Sequence, residues 1–138
     1  MRKLTVLVPF AVLSLCSSML SGCLVAAAGV GVVASEQMLD NNVYATHVNM
    51  DAKQVWDISK KFLADQSTDL IEWDDASRIA KANIDSSRVT VSVEAFDIDK
   101  SVVHVSAKKY LATVNDGDMA RVVSERLLRR IEQQTEKH

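Results

Sequence analysis

Charge is distributed unevenly along this chain, and the asymmetry limits which part of it can form a globular domain. Residues 1–34 carry two charged side chains, Arg2 and Lys3, whereas residues 35–138 carry 14 basic and 18 acidic ones. The averages over all 138 residues therefore hide two different segments. The overall composition and charge exclude a disordered tail, a collagen-like repeat, a disulfide scaffold and a strongly basic nucleic-acid binder. The length favours one domain.

The N-terminal segment has the pattern of an export signal. Arg2 and Lys3 form a basic start, residues 4–15 are mostly apolar, and small residues follow. That apolar stretch is shorter than the roughly 20 residues that a membrane-spanning helix needs. We expect residues 1–22 to be a cleaved signal peptide. The alternative is an uncleaved anchor helix over about residues 13–34.

The end of this signal carries its most specific motif. Leu20-Ser21-Gly22-Cys23 resembles the lipobox of bacterial lipoproteins, in which the cysteine thiol becomes the site of lipid attachment. The resemblance implies that Cys23 carries a thioether-linked diacylglycerol and an N-acyl chain, which anchor the mature chain in a membrane. No other cofactor is expected. Cys16 would be removed with the signal.

Residues 23–42 are expected to connect the lipid to the folded domain. Residues 24–34 are entirely apolar, and the following stretch ends in the turn-type cluster Asp40-Asn41-Asn42. Residue 24 is Leu rather than Asp. An Asp at this position would resemble the signal that retains lipoproteins in the inner membrane. We therefore expect a position in the cell envelope, in the outer membrane facing the periplasm if the cell is Gram-negative.

The pattern of residues 43–138 predicts an α+β domain with the order β-α-β-β-β-β-α. We expect an antiparallel sheet of four to five strands with two helices packed on one face. Strict alternation over residues 88–96 and 101–111, joined by residues 97–100, predicts a hairpin. Asp51 is expected to cap the first helix and Asp116 to lie at the start of the last one, with a frayed tail from Gln133.

The whole pattern resembles a family of small bacterial lipoproteins of unknown function. The residues that carry the resemblance are Leu20-Ser21-Gly22-Cys23, the Ala/Gly-rich residues 26–29, residues 51–56 with their Val-Trp pair, and the alternating residues 89–105. The extended last strand over residues 110–115 departs from the family, which often has a Gly-containing turn there. The resemblance implies a location and a fold, but no activity.

The candidate contact surface is the polar side of the predicted hairpin. His104, Glu94, Thr90, Ser92 and Lys108 are expected to share it. A His–Glu pair can perform acid–base chemistry in a cleft, but an exposed cross-strand pair is the commoner arrangement.

Other polar groups give weaker signals. The acidic residues 65–75 lack the spacing and the glycine of a calcium loop, so no metal site is expected. The Asp-x-Asp at residues 97–99 falls in a turn, in a domain whose sequence lacks any nucleotide-binding unit. Arg126, Arg129 and Arg130 suit a helix C-terminus, where positive charge is favourable, and the net charge of residues 35–138 argues against nucleic acid.

These observations predict a non-enzymatic, membrane-anchored domain that binds or supports an envelope protein. Its contact surface would be the polar sheet face or an exposed edge strand. The alternative is a small-ligand-binding lipoprotein with a pocket near Trp56 and Trp73. An enzyme that uses His104 and Glu94 is the third hypothesis.

Overall fold

The computed structural model describes residues 33–40, 42–109 and 114–137. They form one six-stranded antiparallel sheet and two helices, with the strand order β1-β2-β6-β5-β4-β3. The elements are β1 (Val33–Asp40), β2 (Val43–Val48), α1 (Ala52–Gln66), β3 (Glu72–Asp74), β4 (Ile79–Ile84), β5 (Ser87–Asp97), β6 (Lys100–Lys109) and α2 (Gly117–Thr135). The predicted α+β class is confirmed, and from β2 onward the predicted order holds.

The sheet holds one strand more than the four to five expected. β1 lies in the segment predicted as a tether, and it pairs with β2 from Val33 opposite Val48 to Asp40 opposite Val43. Of the polar cluster that ends this segment, Asp40 is the last residue of β1 and Asn42 lies in a turn just before β2, which runs antiparallel to β1. Asn42 in this turn is buried, and its side-chain amide donates to the carbonyl of Ala107 on β6. The sheet therefore begins ten residues before the predicted domain boundary at Val43.

Alternation along β5 and β6 builds the core. The two strands pair from Ser87 opposite Lys109 to Asp97 opposite Lys100, which confirms the predicted hairpin. One side of the hairpin carries buried apolar residues and the other carries mostly polar, half-exposed ones. The buried residues are Val89, Val91, Val93, Val103, Val105 and Ala107. Burying valines on a pleated surface removes a large apolar area from water, which is the main force that stabilises the sheet.

Both helices cover this apolar side. Each is amphipathic, and the buried positions recur at helical spacing, as with Val55, Ser59 and Phe62 on α1 and Val123, Leu127 and Ile131 on α2. Asp51 caps α1 by accepting hydrogen bonds from the backbone N–H groups of two residues in its first turn. The apolar side chains among them belong to one cluster between the helices and the sheet.

The end of α2 differs from the sequence interpretation, whereas the predicted end of the last strand falls on residues that are not described. α2 continues through Thr135, so the expected fraying from Gln133 is wrong: the hydroxyl of Thr135 bonds back to the carbonyl of Ile131, which is fully buried. β6 ends at Lys109, whereas the predicted strand ran to residue 111, and residues 110–113 lie outside the described part of the chain.

The N-terminal predictions cannot be compared with the structure. The signal peptide at 1–22, the lipobox residues with Cys23, and the tether up to residue 32 lie outside the described residues. Within the residues that are described, no helix is both long enough and apolar enough to cross a membrane.

One side-chain pair joins α2 to the sheet. Asp116 caps α2 by accepting from the backbone N–H of Met119, and its second carboxylate oxygen accepts from the Ser87 hydroxyl at 2.5 Å. The Ser87 hydroxyl, then the Met119 N–H and the charge of Lys109, hold the pKa of Asp116 below its usual value. Because Ser87 begins β5, this carboxylate fixes the helix start against the central hairpin.

Replacing Asp116 by Ala should lower the free energy of unfolding by about 1–2 kcal/mol at about pH 7, because the cap and its link to Ser87 are lost. A folded-state pKa below the reference value of 3.8 means that the stabilisation is present above that pH. It is lost as the pH falls through the folded-state pKa. Urea unfolding of both proteins at several pH values should therefore show the difference shrinking below about pH 4.

Asp118→Ala is the matched control for this measurement. Asp118 lies in the same first turn and is exposed, so its loss should cost only the macrodipole contribution of about 0.3–1 kcal/mol. An equal loss of stability in both variants would contradict the role of Asp116.

Candidate functional site

The side of the sheet opposite the helices is the candidate functional surface, which we call the open face. No element of the described residues packs on it, because both helices pack on the other side. The side chains of four adjacent strands form it: Val43, Ala45 and His47 on β2; Val102, His104, Ser106 and Lys108 on β6; Arg88, Thr90, Ser92, Glu94 and Phe96 on β5; Ile79, Lys81 and Asn83 on β4.

His104 lies near the middle of this face. Ala45 is directly opposite it on β2, and Ser92 is directly opposite it on β5. Both neighbours have small side chains that cover little of the imidazole. The ring is therefore only half-buried, with 26% of the side chain exposed. A partner that contacts the open face can therefore reach its ring.

The other predicted surface residues lie on the same face. Thr90 pairs with Ser106, Lys108 pairs with Arg88, and Glu94 pairs with Val102. Thr90 and Ser92 are half-buried, whereas Glu94 and Lys108 are exposed. The structure thus brings together all five residues that the sequence indicated, along one hairpin and on one side of it.

Glu94 and His104 form the only His–carboxylate contact among the described residues. The distance from His104 Nε2 to Glu94 Oε2 is 3.9 Å, which is longer than a hydrogen bond. The Glu94 side chain is 71% exposed. Water therefore competes for both groups, and the pair resembles a surface contact more than a buried acid–base dyad.

The two ends of the open face differ in chemistry. One end carries Lys81, Arg88 and Lys108, of which Arg88 makes an ion pair at 2.8 Å with Glu72 on β3. The other end is more apolar: the rings of Phe96 and His47 meet in a T-shaped contact, with 5.6 Å between their centroids. A partner surface with acidic groups at one side and apolar groups at the other would complement this arrangement.

The predicted pocket near Trp56 and Trp73 has no counterpart among the described grooves, since neither tryptophan lines one. Trp56 is buried, and its indole N–H donates to Asp75 at 2.7 Å; Trp73 lies on β3 and is half-exposed. Lys60 also donates to Asp75 at 2.7 Å and lies 5.2 Å from the Trp56 ring centroid. The Lys60 ammonium and the indole N–H lower the pKa of Asp75, and this network ties the β3–β4 turn to α1.

The acidic stretch between α1 and β4 is paired with protein groups. Asp65 pairs with Arg130, Glu72 with Arg88, and Asp69 accepts from Asn83. Asp74 accepts from Ser77 and from the Ala76 N–H, which lower its pKa. The described part of the chain contains no group of three or more acidic, histidine or cysteine side chains that could hold a metal ion.

A second surface feature lies between the C-terminal turns of the helices, and we call it the arginine groove. Its volume is about 310 Å³, and its lining residues are Phe62, Asp65, Gln66, Arg126, Arg129, Arg130 and Gln133. Arg130 donates to Asp65 at 3.1 Å, whereas Arg126 donates to the Gln66 amide oxygen at 3.4 Å. Arg129 donates to the carbonyl of Glu125. Two of the three guanidiniums thus have no carboxylate partner among the described residues.

No protein-family model, curated protein or solved structure matches this chain. The resemblance to small bacterial lipoproteins therefore stays a prediction from the sequence motifs.

Sequence reasoning missed part of the open face. His47 and Phe96 meet across two intervening pairings, β2 with β6 and β6 with β5, and this contact depends on strand order rather than on local alternation. The alternation of β5 alone does place Phe96 on the same side as Glu94. Local alternation is therefore enough to place Phe96 on this side of the sheet, but it does not show that His47 lies next to it.

The Glu94–His104 contact should contribute little to stability. We expect a double-mutant cycle with Glu94→Gln and His104→Gln, measured by urea unfolding, to give a coupling energy below about 1 kcal/mol, because both groups remain hydrated. A control cycle on Lys60→Met and Asp75→Asn should show the clearer coupling, since that pair shares a direct hydrogen bond. A larger coupling for Glu94–His104 than for the control would contradict the surface interpretation.

Proposed function

We propose that this chain is a lipid-anchored protein of the bacterial cell envelope whose domain binds another envelope protein and catalyses no reaction. The basic start, apolar core and Leu20-Ser21-Gly22-Cys23 motif support the anchor, with lipid on Cys23 and residues 1–22 removed. The Leu after the cysteine favours the outer membrane, facing the periplasm, if the cell is Gram-negative.

The observation that carries the binding proposal is the open face itself. A sheet of six strands with both helices on one side leaves the other side of four central strands without a covering element among the described residues. This face mixes small polar side chains, half-buried histidines and an exposed phenylalanine, a combination that suits contact with a protein surface.

The sheet edges offer a second way to bind. β3 has three residues, which is too short to pair a partner strand firmly, whereas β1 has eight. A partner strand that adds to β1 would extend the sheet and the open face together. The open face remains the favoured surface because more side chains contribute to it.

The geometry of His104 and Glu94 supports binding more than catalysis. The two groups lie on an exposed surface at 3.9 Å, and neither lines a described groove that could exclude water from a substrate. A general base normally works within hydrogen-bond distance of the proton it takes.

Site-specific photo-crosslinking in intact cells tests the proposal. A photoreactive residue placed at Ser106 or Ser92 on the open face should capture one discrete partner band, and the band should weaken when Cys23→Ser removes the anchor. A probe at Lys61, which is exposed on α1, is the matched control and should not give this band. Equal capture from Ser106 and Lys61, or no capture from an anchored chain, would overturn the proposal.

The arginine groove favours a second candidate, a small-anion-binding lipoprotein. Arg126 and Arg129 have donors without carboxylate partners, and Gln66 and Gln133 add amide donors to the same groove. Guanidinium groups bind phosphate and carboxylate oxygens through paired N–H donors. The groove also lies beside the C-terminal turn of α1, where the same positive charges stabilise the helix end, which is why this function ranks second.

A thermal-shift titration with inorganic phosphate separates the two candidates. If the groove binds anions, phosphate raises the melting temperature beyond an equal ionic strength of chloride, and Arg129→Gln removes this increase. Arg121→Gln is the control, because Arg121 lies on the same helix but pairs with Glu125 outside the groove. No difference between phosphate and chloride would exclude this second candidate.

A further inference from the structure

The first described residue lies at the same end of the sheet as the β5–β6 turn. Val33 pairs with Val48 at the end of β2, and Val48 pairs with Ser101 near the start of β6. Ser101 in turn pairs with Ala95, two residues before the turn. Ala95 is therefore about 14 Å from Val33 across the sheet, or three strand spacings of roughly 4.8 Å, and the turn follows at residues 98–99. We call this end of the sheet, with its turn, the hairpin end.

The hairpin end exposes large apolar side chains. Ile98 in the turn is 89% exposed and Phe96 is 67% exposed. The Phe96 ring contacts the ring of His47, with an angle of 87° between the two ring planes. Exposed side chains of this size next to each other mark a contact site more often than a surface that meets only water.

The sequence that precedes Val33 limits how far this end can lie from the bilayer, provided that Cys23 carries lipid as proposed above. Val33 comes ten residues after Cys23, and residues 24–34 include no polar or charged side chain. Even fully extended, ten residues span at most about 33–36 Å. Apolar residues next to a lipid anchor gain free energy by staying at the membrane rather than in water.

We propose that the hairpin end faces the lipid surface and that Ile98, in its turn, contacts the bilayer. The sheet is then upright on the membrane, and a partner in the periplasm can reach the open face. Asp97 and Asp99 flank Ile98, so insertion stays shallow, and anionic lipids weaken the contact by repulsion. This inference rests on the proposed lipid anchor and adds an orientation to it.

The opposite end of the sheet provides the matched control. Leu70 is 97% exposed, and it lies beside Asn83, near the β4–β5 turn. Its side chain is as apolar and as accessible as that of Ile98. If apolar exposure alone brought the chain to lipid, both positions would contact the bilayer equally.

Fluorescence quenching in vesicles tests the orientation. The mature lipidated chain carries either Ile98→Cys or Leu70→Cys, labelled with an environment-sensitive thiol dye. Each protein is reconstituted in phosphatidylcholine vesicles that contain brominated lipid. We expect the dye at position 98 to be quenched several-fold more strongly than the dye at position 70, and its quenching to fall when phosphatidylglycerol is added. Asp99→Cys is a second probe of the same turn and should follow position 98.

Two further readouts separate the failure of this inference from failure of the anchor. With Cys16 removed and Cys23 acylated, the parent chain has no free thiol, so it should float with vesicles and take up no dye. Labelling of the parent chain without flotation would overturn the lipid anchor. Flotation with equal quenching at positions 98 and 70, or with stronger quenching at position 70, would overturn the orientation alone.

Discussion

The paired register of β5 and β6 is the constraint on which the rest of the structure depends. It sets Val91 opposite Val105 and Val93 opposite Val103, so that every second residue of both strands points to the same side. A shift of one residue would turn these valines to water and the polar residues into the core. Burial of the valines therefore selects one register, and the same choice places His104 and Ser92 on the other side.

The remaining elements are arranged around that hairpin. α1 and α2 bury their apolar sides on the valine side, and Asp116 and Asn42 join α2 and the β1–β2 turn to the strands by hydrogen bonds. The contact between Lys60, Trp56 and Asp75 holds the distant β3–β4 turn against α1. All these contacts lie on the helix side or at its margin. The open face is thus a direct consequence of how the core forms.

The sequence was informative where structure is local. Alternation predicted the hairpin and the shared side of Glu94 and His104. The acidic residues at the helix starts predicted the Asp51 cap and the position of Asp116 at the start of α2. It failed for β1, because a polar segment that ends in Asp and Asn looks like a linker until its partner strand is known. It also missed the contact between His47 and Phe96, which depends on strand order. Those features result from pairing between distant segments, and no local pattern encodes it.

We propose that the open face is free in the isolated chain and covered by a partner in the envelope. Hydroxyl-radical footprinting of the purified chain and of the chain in isolated envelopes tests it most directly. We expect His47 and His104 to lose reactivity in envelopes, whereas Trp73, which is exposed on the edge strand β3, keeps it. Unchanged reactivity of His104 in envelopes, or an equal loss at Trp73, would contradict it.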